Sequence, residues 1–154
     1  MADCFISYST KDEQMARFIH SELRRQNLSV FLASVSLGPG EDWSNRIRTE
    51  LKTSSWVILL ASRSACQSAY VLQESGMAMI TDKKLIPIVW DISPSELPGW
   101  IDRSQALNFK DATIWEIKSH IFQIAQRIRQ NKNQGAIIAS AIILGILYFA
   151  NKDK

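Results

Sequence analysis

The stretch from Trp56 to Glu74 reads WVILLASRSACQSAYVLQE and sets the pattern for the rest of the chain. Its first six residues, Trp56 to Ala61, are all apolar, which predicts a buried strand. A polar segment follows, and Tyr70 to Ile80 then predicts a helix in which Glu74 lies among apolar and small neighbours. A buried strand that leads into a helix is the repeating unit of a parallel α/β sheet. The carboxylate of Glu74 is therefore a candidate functional group.

The remainder of the chain repeats this alternation. Short apolar runs predict four more strands: Cys4–Tyr8, Leu28–Ala33, Leu85–Trp90 and Ala106–Phe109. Helical spacing of apolar residues lies between or after them, in three segments: Ser9 to about Asn27, Trp43–Thr53 and Ile114–Ile128. Five strands that alternate with helices predict a sheet covered on both faces.

The predicted fold is α/β and flavodoxin-like, with a five-stranded parallel sheet in the order 2-1-3-4-5. We predict two parts, a domain over residues 1–131 and a C-terminal hydrophobic helix with basic flanks over residues 132–154. In folds of this kind ligands bind at the carboxyl ends of the strands. Ser7 to Lys11, Ser34 to Trp43, Ser62 to Gln67 and Asp91 to Pro94 would meet there.

Composition narrows the possibilities. The 154 residues are 46% hydrophobic and 21% charged, which fits one globular domain with a short appendage. The two cysteines, Cys4 and Cys66, lie far apart and form no metal-binding spacing, so we expect a reducing compartment and no metal site. The amino terminus lacks the pattern of a secretory signal. The net charge of +3 is modest, and its excess flanks one apolar segment, which favours a membrane surface over nucleic acid.

That apolar segment is the run from Gly135 to Ala150, which carries no charge. As a helix it would be ~24 Å long, compared with ~30 Å for the hydrocarbon core of a bilayer. Lys132 and Lys152 could reach the interface on either side. We predict a membrane anchor. The alternatives are a helix that mediates self-association and a helix that packs on the domain itself.

Three motifs resemble the signature regions of a bacterial Toll/interleukin-1 receptor (TIR) domain. They are Phe5–Ser9 followed by Lys11 and Asp12, the glycine-rich loop Leu37–Trp43, and Ser68–Glu74. The last motif usually reads Ser-x-Trp-Cys-x-x-Glu in this family. Here Tyr70 replaces the tryptophan and Val71 replaces the cysteine, so an aromatic wall is kept and the thiol is lost. The resemblance extends over about residues 3 to 130.

The resemblance implies an enzyme, an NAD+ glycohydrolase or cyclase, with Glu74 as the catalytic carboxylate and NAD+ as a substrate rather than a cofactor. Cleavage of the nicotinamide-ribose bond releases a leaving group that needs no protonation, so one carboxylate can suffice. The residues implied in substrate binding are Ser7, Tyr8, Ser9, Lys11, Leu37, Gly38, Tyr70 and Trp90. The residues implied in the assembly loop are Gly38, Pro39, Gly40, Asp42 and Trp43.

The resemblance also implies a biological setting. Relatives of this type act in bacterial antiphage defence and become active by self-assembly, here through the TIR domain and the C-terminal helix. We expect a cytoplasmic TIR domain anchored to the inner membrane. Its partners would be NAD+, other copies of the chain and an upstream sensor or downstream effector protein, with no nucleic acid.

Several alternatives remain open. The domain could be a non-catalytic scaffold that signals through contacts between TIR domains. Glu74 could be a solvated helix carboxylate, Gly38–Gly40 a plain turn, and Ser7 to Ser9 a helix cap. Tyr70 and Trp90 could belong to the core. A Rossmann or P-loop nucleotide site is excluded, because neither glycine motif occurs in the sequence.

Overall fold

The computed structural model describes residues 2–34, 45–67, 83–99, 101 and 106–132. Within these residues one parallel sheet contains the strands β1 Cys4–Tyr8, β2 Val30–Ser34, β3 Trp56–Leu60, β4 Lys84–Val89 and β5 Leu107–Asn108. Their order across the sheet is β2-β1-β3-β4-β5. The predicted flavodoxin-like arrangement is confirmed.

Helices in the described part of the chain are α1 Glu13–Arg25, α2 Asn45–Thr53, α3 Arg63–Gln67 and α4, residues 114–132. Short 3-10 turns occur at Thr10–Asp12 and Pro94–Glu96. The five-residue helix α3 was not predicted, because its sequence has no apolar periodicity.

The central strands are buried on both faces, as a parallel sheet between helices requires. Every residue of β1 and β3 is buried. In α1 the buried residues are Ala16, Ile19 and Leu23, whose spacing places them on one stripe toward the sheet.

Side chains of β1 alternate between two separate cores. Cys4, Ile6 and Tyr8 belong to a large cluster that also contains the buried faces of α1 and α4. Phe5 lies on the opposite face with Leu51 of α2. The two faces of the sheet therefore carry different helices, and neighbouring residues of one strand face different surroundings.

The predicted start of the second strand at Leu28 is wrong by two residues. Asn27 has a positive φ of 62°, and the backbone N–H of Leu28 donates to the carbonyl of Leu23 at 3.4 Å. This left-handed residue ends α1 in a C-terminal capping turn. Leu28 consequently belongs to the helix end, and pairing with β1 begins at Val30.

Three predicted features lie outside the described residues: the helix Tyr70–Ile80, the loop Leu37–Trp43 and the apolar run 135–150. Among the helices that the structure does describe, none has the length and apolar character needed to cross a bilayer. The predicted anchor therefore stays a prediction.

Candidate functional site

Three loops meet at the carboxyl edge, by which we mean the edge of the sheet where the strands end. They are Ser9–Asp12 after β1, Ala61–Arg63 after β3 and Trp90–Asp91 after β4. In parallel α/β folds this edge holds the ligand-binding crevice.

A buried hydrogen bond joins the first two loops. The hydroxyl of Ser62 donates to the carboxylate of Asp12, and the two side chains are separated by 50 positions in sequence. Ser62 is fully buried and Asp12 is 3% exposed. The Ser62 oxygen also accepts a hydrogen bond of 3.0 Å from the backbone N–H of Ala65. Ser62 thereby caps α3 and ties it to the loop after β1.

Burial raises the pKa of the Asp12 carboxyl above its ordinary value, and the nearby charge of Asp91 raises it further. The hydrogen bond from Ser62, the indole of Trp90 and the charge of Lys11 oppose this shift. Desolvation dominates because a buried carboxylate loses its hydration. Asp12 therefore binds a proton more readily than an exposed aspartate does.

A second hydrogen bond joins the loops after β3 and β4. The backbone N–H of Arg63 donates to Oδ1 of Asp91 at 2.9 Å. Because Ser62 contacts Asp12 and Arg63 contacts Asp91, the start of α3 is held from both sides. This explains why residues 63–67 form a helix although their sequence does not predict one.

The predicted substrate residues of β1 face opposite sides of the sheet. Tyr8 is 2% exposed and belongs to the cluster shared with α1 and α4. Ser7 is equally buried, and strand alternation directs it toward the face that carries Phe5 and α2. Ser9 is half-buried and precedes the first 3-10 turn without a side-chain capping bond.

The other two described substrate residues, Lys11 and Trp90, lie together. With Asp12 they line a cavity of about 300 Å³ between α1 and α4. Trp90 packs against the core cluster of that face, and its buried Nε1 has no hydrogen-bond partner among the residues that the structure describes. The structure therefore groups Tyr8, Lys11 and Trp90 on one face and separates them from Ser7.

The thiol of Cys66 is half-buried on this edge. Burial raises its pKa, and the charges of Asp91 and Asp12 raise it further. The thiolate is the nucleophilic form of cysteine, so these surroundings do not activate Cys66 as a nucleophile. In the described ranges no group of three or more His, Cys, Asp or Glu side chains could hold a metal ion.

The remaining predicted site residues lie outside the described part of the chain, and their assignments stay predictions. They are Glu74, Tyr70, Leu37, Gly38, Pro39, Gly40, Asp42 and Trp43.

Sequence reasoning missed the network formed by Asp12, Ser62, Arg63 and Asp91. Asp12 entered the sequence analysis only as the last residue of the first motif. The available signal was that polar residues follow three strands whose carboxyl ends share one edge.

The sequence profile of the TIR domain matches residues 4–134, which cover the whole sheet and all four described helices. The chain belongs to the TIR domain family. The predicted resemblance is confirmed for the family, and the fold and the carboxyl edge described above are those of a TIR domain.

One curated relative of this TIR domain is a protein of Brachypodium distachyon, named a probable 2′ cyclic ADP-D-ribose synthase. The two are 32% identical over 97 residues, which are 62% of this chain and 43% of the relative. The chain thus spans less than half the length of that relative.

Solved structures share the fold. The TIR domain of a Toll-related receptor from Hydra magnipapillata superimposes with a TM-score of 0.67 at 17% identity, covering 84% of this chain and 99% of that domain. A TIR-STING receptor from C. gigas, solved with 2′,3′-cGAMP, superimposes with a TM-score of 0.62 at 24% identity. That match covers 81% of this chain and 39% of the receptor.

Proposed function

We propose that this TIR domain cleaves the bond between nicotinamide and ribose in NAD+, giving nicotinamide and ADP-ribose or a cyclic ADP-ribose. The observation that carries the proposal is the 32% identity to a plant protein named a probable 2′ cyclic ADP-D-ribose synthase. The choice between hydrolysis and cyclisation depends on which nucleophile reaches the ribosyl cation.

The chemistry assigns one principal role to Glu74. Nicotinamide leaves without protonation, and positive charge develops on the ribose as the bond breaks. A carboxylate beside the ribose stabilises that charge without moving a proton. Ser7 and Ser9 at the end of β1, and Tyr70 four positions before Glu74 in sequence, are proposed substrate contacts. Lys11 and Trp90 lie with Tyr8 on the face of the sheet that carries α1 and α4. Their contact with the dinucleotide is also part of the proposal.

The described loops support this role by fixing the start of the segment that leads to Glu74. Ser62 is bonded to Asp12, and Arg63 is bonded to Asp91 at 2.9 Å. A catalytic group works best when its supporting residues are held by packing and hydrogen bonds. Asp12, Ser62 and Asp91 are positioning residues in this proposal.

The test is release of nicotinamide from NAD+ by the wild-type chain and by Glu74→Gln. We expect the variant to lose about 10²–10³-fold in kcat, the usual effect of removing one group that stabilises transition-state charge. Glu13→Gln is the matched control, since Glu13 is an exposed helix residue paired with Arg17 at 2.8 Å. Equal turnover by wild type and Glu74→Gln would refute the assignment of Glu74, whereas no turnover by wild type under any assembly condition would favour the scaffold alternative.

We also propose that the domain becomes active by self-assembly. Three large apolar side chains of α4 support this, because Ile114, Trp115 and Phe122 are 49%, 75% and 47% exposed. Exposed apolar groups that lie near one another mark contact surfaces. The variant Trp115→Ser/Phe122→Ser should shift the wild-type size distribution toward smaller species in sedimentation velocity, and an unchanged distribution would exclude this face.

For the biological role we propose bacterial antiphage defence, with the run 135–150 as an inner-membrane anchor. The support is the sequence resemblance and the uncharged length of that run. If the anchor is correct, the full chain should stay with the membrane fraction in high salt and leave it only in detergent. Release by salt alone would exclude the anchor, and unaltered phage survival in cells that express the chain would count against the defence role.

A further inference from the structure

At the amino edge, where the strands of the sheet begin, the structure contains a second and larger cavity. Its volume is about 570 Å³, and the turns before β1, β3 and β4 line it together with the end of α4. Four of its lining residues are Lys52, Lys83, Lys84 and Lys132, so we call it the lysine cavity. Of the proposed NAD+ contacts, those that the structure describes do not line this cavity.

Two of the lysines are held in fixed positions. The ammonium of Lys83 donates to the backbone carbonyls of Lys52, at 2.8 Å, and Ser54. A lysine ammonium has three donors, so these bonds use two of them. The ammonium of Lys84 lies 4.9 Å from the ring centroid of Trp56. Within the described ranges, both cations are thus held without an acidic partner.

Negative charge at the lysine cavity is small. Among the described lining residues Asp3 is the only acid, and it is already engaged. Its Oδ1 lies 3.3 Å from the ammonium of Lys132, and its Oδ2 accepts a hydrogen bond of 2.9 Å from the backbone N–H of Ser29. Lys52 and Lys84 are exposed. The cavity therefore presents an excess of positive charge to solvent.

The topology explains why cations collect here. The helices of a parallel α/β fold end at the amino edge, and cations are favourable near helix C-termini. Arg24 and Arg25 occupy the last turn of α1, and Lys52 that of α2. Arg129 of α4 donates to the carbonyl of Gln26 at 2.6 Å, which joins the ends of α1 and α4. These helix ends thus place cationic side chains at the amino edge, although Arg25 is paired with Glu22 at 2.9 Å.

The described part of α4 also ends here, at Lys132, and the sequence continues after two residues into the uncharged run 135–150. A basic surface beside an apolar segment is the sequence pattern for a membrane with anionic lipids. Nucleic acid would use the same charges, but it gives no role to the adjoining apolar run. The positive charge of the cavity and the apolar run that follows α4 in sequence together favour a bilayer over nucleic acid as the partner.

We propose that the lysine cavity docks this TIR domain on a bilayer by binding the phosphate groups of anionic lipids. Lys83 and Lys84 form the ordered part of the site, and Lys52 and Lys132 meet neighbouring headgroups. The proposal builds on the anchor proposed above but not on NAD+ cleavage. Docking would hold the amino edge against the membrane and leave the carboxyl edge facing away from it.

The test measures partition of the full chain onto two kinds of vesicle, phosphatidylcholine alone and equal parts phosphatidylcholine and phosphatidylglycerol. With three lysines in excess over Asp3, we expect about 10²-fold stronger binding to the anionic vesicles, decreasing as salt is raised. Lys52→Gln/Lys84→Gln should lower that preference by about tenfold or more, since it removes two of the cations.

The matched control is Lys110→Gln/Lys118→Gln. It removes the same charge and also combines an exposed lysine with one that lies near a tryptophan, because the ammonium of Lys118 is 5.5 Å from the ring centroid of Trp115. We expect the control to keep the wild-type preference. Equal losses in the two double variants, or equal binding of wild type to both vesicles, would overturn the proposal. So would displacement of the chain from anionic vesicles by a DNA oligonucleotide at equal phosphate concentration.

The two vesicles also separate this proposal from the anchor. Binding to neutral vesicles reports the apolar run, whereas the lysine-dependent preference reports the cavity. Suppose that wild type does not bind neutral vesicles but prefers anionic ones, and that Lys52→Gln/Lys84→Gln abolishes this preference. That result would refute the anchor and support the docking site.

Discussion

The two edges of the sheet use their polar side chains in opposite ways. At the carboxyl edge Ser62 is bonded to Asp12 and Arg63 to Asp91, so polar groups of successive loops satisfy one another. At the amino edge the ammonium of Lys83 donates, within the described part of the chain, only to backbone carbonyls, and its lysine neighbours are exposed. The first arrangement fixes loops, and the second leaves charge available to a partner.

This contrast follows from the direction of the chain. In a parallel sheet every strand begins at one edge and ends at the other, so the two edges collect different loops and different helix ends. Anionic side chains such as Asp12 and Asp91 follow strands, and cationic ones such as Lys52 and Arg25 end helices. We therefore expect substitutions at the two edges to affect different measurements.

The largest expected effect tests this separation directly. Glu74→Gln should lower kcat for nicotinamide release by about 10²–10³-fold, because a transition-state charge loses its partner. The same variant should bind anionic vesicles as wild type does, since the lysine cavity is unchanged. Measuring both properties on one preparation checks the comparison. A parallel loss of vesicle binding would show that the two edges are not independent.

The next effect concerns stability. Ser62→Ala removes the hydroxyl that donates to the Asp12 carboxylate and caps α3. Loss of a hydrogen bond to a buried charged group should reduce the free energy of unfolding by about 2 kcal/mol. Urea denaturation of Ser62→Ala measures this change. Ser55→Ala, at an exposed position of the amino edge, is the control and should change stability by less than about 0.5 kcal/mol.

A second substitution tests whether the unpaired carboxylate of Asp12 causes the loss of stability in Ser62→Ala. Asp12→Asn in the Ser62→Ala background replaces a buried carboxylate by a neutral amide, which is cheaper to leave without its partner. We expect the double variant to be more stable than Ser62→Ala alone. If it is less stable, the cost of Ser62→Ala arises from the lost cap of α3 rather than from the unpaired buried charge of Asp12.

These residues also mark the extent to which the site was predictable. The strands β1 and β3 followed from apolar runs, because burial on both faces leaves a continuous pattern in the sequence. The sheet order followed from the flavodoxin-like fold that five strands alternating with helices predict. The bond between Asp12 and Ser62 joins positions 50 residues apart and leaves no local pattern. Helix α3 depends on that bond, so it was missed for the same reason. The start of β2 was misplaced because Asn27 adopts a left-handed conformation, which only tertiary structure reveals.

We expect Asp12 to contribute to the pH dependence of the free energy of unfolding. Its pKa is raised in the folded state by burial, above the ordinary value of 3.8. The folded state then holds the proton to higher pH than the unfolded state does, so stability falls as pH rises through the folded pKa. The free energy of unfolding of wild type minus that of Asp12→Asn should therefore increase as pH is lowered from neutral toward 3.8. A difference that is flat with pH would contradict the shift.

Glu96 provides an internal control of opposite sign. Bonds from the backbone and hydroxyl of Ser93 lower its pKa below the ordinary value of 4.5. Its contribution to stability is present above that value and is lost as pH falls through the folded pKa. The free energy of unfolding of wild type minus that of Glu96→Gln should thus decrease as pH is lowered. If this difference and the one for Asp12→Asn change in the same direction, the environments of the two carboxyls are not distinct.

The smallest expected effect is at the amino edge. Lys84→Gln removes the cation that lies 4.9 Å from the ring centroid of Trp56. At an exposed site such a contact contributes about 0.5–1 kcal/mol, so the free energy of unfolding should decrease by no more than that. The same substitution should weaken binding to anionic vesicles severalfold, because its charge faces the proposed lipid. A lysine that contributes little to stability and much to binding is expected of a docking surface. If Lys84→Gln instead costs as much stability as Ser62→Ala and leaves vesicle binding unchanged, the amino edge is a structural element like the carboxyl edge, and the contrast between them fails.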